Sequence, residues 1–175
     1  EVENKLLIDS PDYAKYLEVV KNGPIIPGLN QKLVPQGLTI AKDKNWLVTS
    51  YYSSEGKPGV ISIVDIASGE YLKALQLYQD ETTPYMGHAG GVTASRHHLW
   101  VSSEKRVYSI RLQDVENAAD GDKIVFHSII PTETNASFNS YSDGILWVGE
   151  FAYFDHKTKD SHHLTNRANA EHPAW

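Results

Sequence analysis

The chain has 175 residues, a formal net charge of −6 and no cysteine. Lack of cysteine excludes disulfide bonds, thiolate chemistry and cysteine-ligated zinc, while the acidic balance without a Lys- or Arg-rich run argues against binding of nucleic acid or an anionic membrane surface. No apolar stretch approaches the length of a membrane span, so the sequence predicts no membrane span.

The first predicted element is a short helix near the N-terminus. Ser-Pro-Asp at residues 10–12 is a typical helix start, and Asn-Gly-Pro at 22–24 ends the pattern. Between them the apolar residues recur at steps of three and four: Tyr13, Tyr16, Leu17 and Val20. Because Pro and Gly are frequent in the segment that follows, we divide the chain into residues 1–33, a helix with a Pro/Gly-rich lead-in, and residues 34–175.

The second part repeats one motif three times. A four-residue motif begins nine residues before a tryptophan in each copy, at Gly37 before Trp46, Gly91 before Trp100 and Phe138 before Trp147. Spacings of about 50 residues between copies are typical of one four-stranded unit in a repeating β architecture. The sequence therefore predicts an all-β fold of about three four-stranded blades of a β-propeller, at residues 34–80, 87–131 and 134–175.

Turn chemistry separates the strands predicted within each blade. The first blade has strands at 37–40, 46–52, 60–65 and 71–77, and the second at 91–94, 99–103, 106–112 and 123–130, with a polar insertion at 116–122. In the third blade, strands at 136–141 and 145–151 flank an Asp-Gly pair, which is a strong hairpin signal. Residues 155–175 are polar and His-rich and are interpreted as a long connection.

Three blades are too few for a closed ring, since propellers typically carry about four to eight. An open arc leaves a sheet face unpacked at each end. We therefore expect an incomplete ring, a fragment or one chain of a larger assembly, whose partners are the remaining blades of the same parent protein or of another chain. The large indoles Trp46, Trp100 and Trp147 are predicted to fill the wedges between neighbouring blades as core residues.

The most unusual local string is Gly-His-Ala-Gly-Gly at residues 87–91. Glycines permit positive φ or a close backbone approach, so His88 would be held at the start of an inner strand near a central channel. There His88 is a candidate catalytic residue, either a general base or a metal ligand. The structural alternative is a turn leading into the strand, in which the histidine only caps backbone groups.

Aligning the repeats extends this position to a set of polar residues. Val34, His88 and Asn135 fall at matching positions, and Gln36, Gly90 and Ser137 fall two places later. The resulting candidates for a polar ligand-binding pocket are Gln36, His88, Asn135 and Ser137. A small molecule or a protein is the expected ligand.

A divalent cation such as calcium is the cofactor that the sequence suggests, although the residue pattern leaves its presence open. Glu150 lies three residues after Trp147, and with Asn135 and Asn139 it could supply oxygen ligands for a hard cation. Adjacent histidines at 97–98 and 162–163 are poor metal motifs because neighbouring side chains point apart. No phosphate-binding loop, Gly-x-Ser-x-Gly elbow or His-Glu-x-x-His motif occurs in the sequence.

Four segments of the chain resemble a known group of proteins: Pro-Gln-Gly-Leu at 35–38, the strand at 46–52, Ile-Val-Asp at 63–65 with Gly69, and the string at 87–92. Over roughly residues 34–152 the chain is similar to uncharacterised secreted bacterial proteins related to six-bladed propellers, a group that includes strictosidine-synthase-like, gluconolactonase-like and NHL-repeat proteins. The resemblance implies a propeller fold and a secreted or cell-surface location in bacteria.

The resemblance also implies two kinds of activity. In gluconolactonase-like members, acidic and amide side chains at inner-strand ends hold a divalent cation that polarises a lactone or ester, whereas NHL-type members bind peptides, sugars or nucleic acid. We therefore consider two functions. Regular repeats without a catalytic signature favour a ligand- or protein-binding propeller module, and His88, Asn135 and Glu150 near one mouth favour a metal-assisted hydrolase of the lactonase or esterase kind.

Overall fold

The computed structural model describes residues 11–153, 157–162, 164–165 and 171–172. Most of its regular structure is strand, arranged in several sheets, and the predicted short N-terminal helix is present as α1 (Ala14–Val19), after a 3₁₀ turn at Pro11–Tyr13. This confirms a mainly β chain with a short helix, and no closed ring of blades is seen in the described residues. None of the helices in this part of the chain combines the length and apolar character that a membrane span requires.

The first sheet contains the four strands predicted for the first repeat. Its antiparallel strands follow one another in chain order: β1 (Leu33–Ala41), β2 (Trp46–Ser53), β3 (Val60–Asp65) and β4 (Tyr71–Tyr78). Local turn chemistry explains this order. Asn45 adopts the left-handed conformation after a 3₁₀ turn at Lys42–Lys44, and the Asp65 carboxylate accepts hydrogen bonds from the Ala67 and Ser68 N–H groups.

The second sheet also has four strands, but the predicted strand at 123–130 is divided between two sheets. The sheet contains β5 (Val92–Ala94), β6 (His98–Ser103), β7 (Arg106–Arg111) and β9 (Ser128–Pro131). The remaining part of the predicted strand is β8 (Lys123–Val125), which pairs in parallel with β4 of the first sheet. Phe126 N–H still donates to Tyr78 O, whereas His127 N–H donates to Ser109 O, so the chain crosses between the sheets at this peptide.

A short helix fills part of the region predicted as a polar insertion. This helix, α2 (Leu112–Asn117), follows β7 directly and buries Leu112 and Val115 in the core. Lys73 of β4 donates hydrogen bonds to the carbonyl oxygens of Val115 and Glu116 near its C-terminal end. The helix therefore connects the two sheets, an arrangement that the polar composition of residues 116–122 does not indicate.

The third unit has two strands in the part of the chain that the structure describes. The strands β10 (Ala136–Ser142) and β11 (Ile145–Glu150) form the predicted antiparallel hairpin. Asp143 and Gly144 both have positive φ at its turn, as a tight hairpin of this type requires. In the region predicted as a connection, β12 (Leu164–Thr165) pairs with β13 (Glu171–His172) in a separate small sheet.

The three units stack in chain order. One face of the first sheet packs against the second sheet around a core that includes Val48, Ile61, Ile63, Leu75, Leu99, Val101 and Ile110. The opposite face of the second sheet contacts β10, where Asn139 Nδ2 donates to Trp100 O at 3.0 Å and to Ser102 Oγ at 2.7 Å. Tyr141 N–H adds a hydrogen bond to Thr93 Oγ1 at 3.2 Å.

Two glycines allow the first strands of neighbouring units to touch backbone to backbone. A Cβ atom on Gly37 would lie 2.6 Å from Gly90 O and from Val92 N. A Cβ atom on Gly91 would lie 2.5 Å from Phe138 Cα, and the Gly91 N–H donates to Ser137 O at 2.8 Å. The glycine that begins the motif in the first two copies is therefore a packing requirement between units.

The prediction that all three repeated tryptophans are core residues is wrong for Trp147. Trp46 is 9% exposed and belongs to the core cluster, whereas Trp147 is 61% exposed and Trp100 is intermediate. Each indole lies on the face of its unit that points toward the next unit in the chain. Asn139 lies on the face of the hairpin that contacts the second sheet, whereas Trp147 and its cross-strand partner Ser140 lie on the opposite face. No sheet among the described strands covers the Trp147 side of the hairpin.

The apolar stripe predicted for the N-terminal helix is present but not buried. Tyr13, Tyr16, Leu17 and Val20 are all exposed, and α1 has no buried residue. The periodicity therefore predicted the helix correctly, but among the described residues its apolar face is not packed against the core.

Candidate functional site

A cleft with a volume of about 620 Å³ opens where the first strands of the three units begin. It is bounded by the start of β1, the loop before β5, the end of β6 and the ends of the β10–β11 hairpin. Its polar lining residues are Gln36, His88, Ser102, Ser103, Glu104, Asn135, Ser137 and Glu150. Apolar surface is added by Ala136, Phe138 and Phe151.

All four sequence-predicted ligand-binding residues line this cleft. Gln36, His88, Asn135 and Ser137 come from three different units, and the repeat alignment assigns them to two equivalent positions. They converge because β1 and β10 both lie against β5, so equivalent strand starts are close in space. The repeat alignment did not predict five further lining residues, because they do not occupy the aligned positions at the start of each unit. They are Ser102, Ser103, Glu104, Phe138 and Phe151.

The same irregularity occurs at equivalent positions of β1 and β10. The register of β1 shifts between Pro35 and Gly37, and that of β10 shifts between Ala136 and Phe138. The extra residues are Gln36 and Ser137, each of which occupies a β-bulge and is released from regular strand alternation. Bulges often re-aim side chains beside binding sites, and here both bulged residues face the cleft.

His88 is exposed on a loop that a buried tyrosine holds in place. Its ring lies edge-on to the Tyr52 ring, with centroids 5.0 Å apart and an angle of 80° between the planes. The next residue, Ala89, is buried with a positive φ of 48°, and its N–H donates to the Tyr85 hydroxyl at 3.1 Å. Tyr85 packs edge-on against Tyr108 and Phe126, and burial raises its pKa to about 12, so the phenol is protonated at neutral pH.

Replacing Tyr85 with phenylalanine is expected to loosen the His88 loop. The Tyr85→Phe change keeps the aromatic packing but leaves the buried Ala89 N–H without its acceptor, which typically costs about 1–3 kcal/mol. Urea denaturation should show this loss, and amide hydrogen exchange at residues 87–90 should become faster. Tyr78→Phe, which alters a partly exposed tyrosine on β4, is the control. Unchanged exchange in the loop would contradict this role of Tyr85.

Asn135 and Ser137 differ in whether their side chains already form hydrogen bonds within the protein. Ser137 Oγ donates to Asn135 O at 2.8 Å and accepts the Phe151 N–H at 3.2 Å, which joins the two ends of the hairpin. The Asn135 side-chain amide makes no hydrogen bond to any residue that the structure describes, and it is only partly buried. The NH₂ group of Asn135 can therefore donate hydrogen bonds to a ligand, and its side-chain carbonyl oxygen can accept them.

Glu150 is a buried carboxylate in the wall of the cleft. Its side chain is 3% exposed, and Oε1 contacts Nδ1 of His162, whose side chain is 15% exposed. His162 comes from a 3₁₀ turn at Asp160–His162 and was not predicted as a site residue. Because the partners are twelve residues apart and lie in a strand and a separate 3₁₀ turn, no local spacing in the sequence indicates this contact.

The structure does not bring together the three residues predicted as metal ligands. Asn135 and Glu150 line the cleft, but Asn139 lies between the hairpin and the second sheet, where its amide nitrogen binds Trp100 O and Ser102 Oγ. The bulge at Ser137 is the physical reason, because it breaks the alternation that would put residues 135 and 139 on one face. In the described part of the chain, no group of three or more His, Asp or Glu residues could hold a metal ion.

The cleft is lined by two carboxylates and its rim is partly aromatic. Glu104 and Glu150 lie in the lining, and none of its described residues is a Lys or Arg. Phe138 and Phe151 are more than half exposed, and the Phe151 ring stacks on Tyr153 with centroids 6.1 Å apart. The arrangement offers amide, hydroxyl, imidazole and carboxylate groups beside a flat apolar surface, which suits a polar ligand without negative charge.

Comparison with models of protein families gives no match to this chain, and comparison with curated protein sequences gives none either.

Proposed function

We propose that the three stacked units are blades of a β-propeller arc. The proposal is supported by the consecutive antiparallel order of β1 to β4, by the stacking of the sheets in chain order and by the close contacts of their first strands. In this arrangement the cleft is part of the channel mouth, and further blades are the partners that complete the ring. A secreted or cell-surface location in bacteria belongs to the same proposal and rests on the resemblance of the sequence motifs.

We propose further that the protein is a binding module whose cleft holds a small polar ligand or a polar loop of another protein. The observation that carries this proposal is the convergence of Gln36, His88 and Asn135 from three units on one cleft of about 620 Å³. This volume lies within the range of about 300–1,000 Å³ typical of small-molecule sites. Glu104 and Glu150 favour a neutral or cationic ligand over an anion.

A panel of neutral, cationic and anionic polar compounds and short peptides tests the proposal by ligand-observed NMR and thermal shift. We expect neutral or cationic compounds to bind, and Asn135→Ala to weaken the best of them at least tenfold, because the amide would lose about two hydrogen bonds to the ligand. His88→Ala should weaken it to a smaller degree. His97→Ala, an exposed histidine outside the cleft, should change the affinity less than twofold.

Two results would contradict this function. One is a ligand that binds with the same affinity to the Asn135→Ala and His88→Ala variants, which would place it elsewhere on the protein. The other is exclusive binding of anionic compounds, which the two carboxylates of the lining should repel.

The alternative proposal is a metal-assisted hydrolase at the same cleft. It is favoured by Asn135 and the buried Glu150 carboxylate, two oxygen-bearing side chains that line one wall. A cation held there would polarise a lactone or ester carbonyl, with His88 as the candidate general base. Calcium or manganese alone should then raise the thermal midpoint of the wild type but not of Glu150→Gln; no shift with either ion removes the support for this alternative.

A further inference from the structure

The exposed indole of Trp147 lies in an apolar face at one end of the stack. Antiparallel register puts Phe138, Ser140, Trp147 and Ile145 on the same face of the β10–β11 hairpin. Phe138, Ile145 and Trp147 are each more than half exposed, whereas Asn139 and Tyr141 of the opposite face bind the second sheet. This surface, called the Trp147 face below, is the side on which a next unit would stack.

A second apolar face lies at the other end of the stack. Leu38 and Ile40 of β1 are exposed, while Ala41, one position further along the strand, is buried in the core with the second sheet. Strand alternation therefore directs Leu38 and Ile40 away from the second sheet. This surface, called the Leu38 face below, is confined to β1, because Tyr51 and Ser62 on the same side of the first sheet are already buried beside the lead-in segment. It is the part of this side that a stacked unit could contact.

The interior of the protein already contains two examples of how such faces combine. The Trp46 face of the first unit is covered by the second unit, and the Trp100 face of the second unit is covered by the β10–β11 hairpin. In both cases, the tryptophan-bearing face of one unit receives the opposite face of the next. The Trp147 face should accept a Leu38 face in the same way, because both belong to the same repeat.

Charge supports the same pairing. Lys42 and Asp143 are exposed and opposite in charge, whereas Lys44 is already paired with Glu116 and Glu150 is buried against His162. Lys42 and Asp143 lie in repeat-equivalent hairpin turns, at the same end of their units. Stacking the Leu38 face on the Trp147 face would bring these opposite charges together.

We propose that a second copy of this chain covers both faces, with the Trp147 face of each copy packed on the Leu38 face of the other. Two arcs of three units give a ring of six, within the range of about four to eight blades found in closed propellers. Both interfaces are related by one two-fold axis, so the assembly is closed and stops at two copies. This inference rests on the proposed blade arrangement and is independent of the ligand in the cleft.

Sedimentation equilibrium of the 175-residue chain over a wide concentration range tests the proposal. We expect the mass at high concentration to be twice 19.6 kDa. Trp147→Ser and Leu38→Ser should each weaken dimerisation at least tenfold, because each removes an apolar anchor from both interfaces. Ile25→Ser changes an exposed side chain outside both faces and should leave the dimer unchanged.

Charge reversal provides a second test that alters no apolar contact. Lys42→Glu and Asp143→Lys should each weaken the dimer about two- to fivefold at low salt, and the double variant should regain most of the affinity. A monomer of 19.6 kDa at every concentration would overturn the proposal. So would a dimer that is insensitive to Trp147→Ser and to both charge reversals, or growth into open assemblies larger than two copies.

The outcome also separates this inference from the binding function. A stable monomer that still binds ligand through Asn135 would remove the two-copy ring and leave the cleft proposal intact. A dimer that depends on Trp147 but binds none of the tested ligands would support the ring alone.

Discussion

Replacing Gly91 with alanine is expected to destabilise the protein by about 1–3 kcal/mol or more, the range typical of forced overpacking. The added Cβ would lie 2.5 Å from Phe138 Cα and 2.8 Å from Asn139 N, and backbone atoms cannot move aside as a flexible side chain can. Relief requires β5 and β10 to separate, which would weaken the Gly91 N–H hydrogen bond to Ser137 O. The free energy of unfolding from urea denaturation measures the effect.

Gly23→Ala is the matched control for this change. No atom lies within 4 Å of a Cβ at Gly23, so its substitution should change the unfolding free energy by no more than about 0.5 kcal/mol. If Gly91→Ala proves as stable as Gly23→Ala, the close approach of the first strands is not a requirement of the fold. Because Gly90 and Ser137 line the cleft beside this contact, Gly91→Ala should also weaken ligand binding.

Truncating Leu75 to alanine is expected to cost about 2–5 kcal/mol. Leu75 is fully buried in the middle of β4, where it pairs with the equally buried Ile61 and belongs to the core between the two sheets. Removal of its isobutyl group leaves a cavity that strands on both sides prevent from closing. Leu72, which is 40% exposed on the same strand, provides the control, and Leu72→Ala should cost less than about 1 kcal/mol.

Chemical denaturation distinguishes these outcomes. A large shift in midpoint with an unchanged m-value is expected for Leu75→Ala, since the surface exposed on unfolding stays nearly the same. Equal losses for the Leu75 and Leu72 variants would contradict a single core shared by the first and second sheets.

The candidate site was predictable to the extent that it follows the repeat. The alignment of the repeats selected four residues at equivalent positions: Gln36, His88, Asn135 and Ser137. Equivalent positions lie close together in the structure because the first strands of the units pack side by side. Asn139, named as a cation ligand without support from the repeat alignment, instead binds Trp100 O and Ser102 Oγ between the hairpin and the second sheet. The His162 contact with Glu150 depends on a segment with no regular period, so no pattern in the sequence indicates it.

Short-range features of the amino-acid sequence determine the strands of the first repeat, the Asp143-Gly144 hairpin and the N-terminal helix, because turn chemistry and periodicity act over a few residues. The tertiary structure decided which sheet each strand joins and which side chains are covered. Residues 123–130 divide between two sheets since Phe126 and His127 find their hydrogen-bond acceptors on different strands. Trp46 and Trp147 occupy equivalent places in the repeat, yet only Trp46 has a neighbouring sheet in the described chain to bury it. Burial depends on what packs against a strand, and that information is not local to the strand.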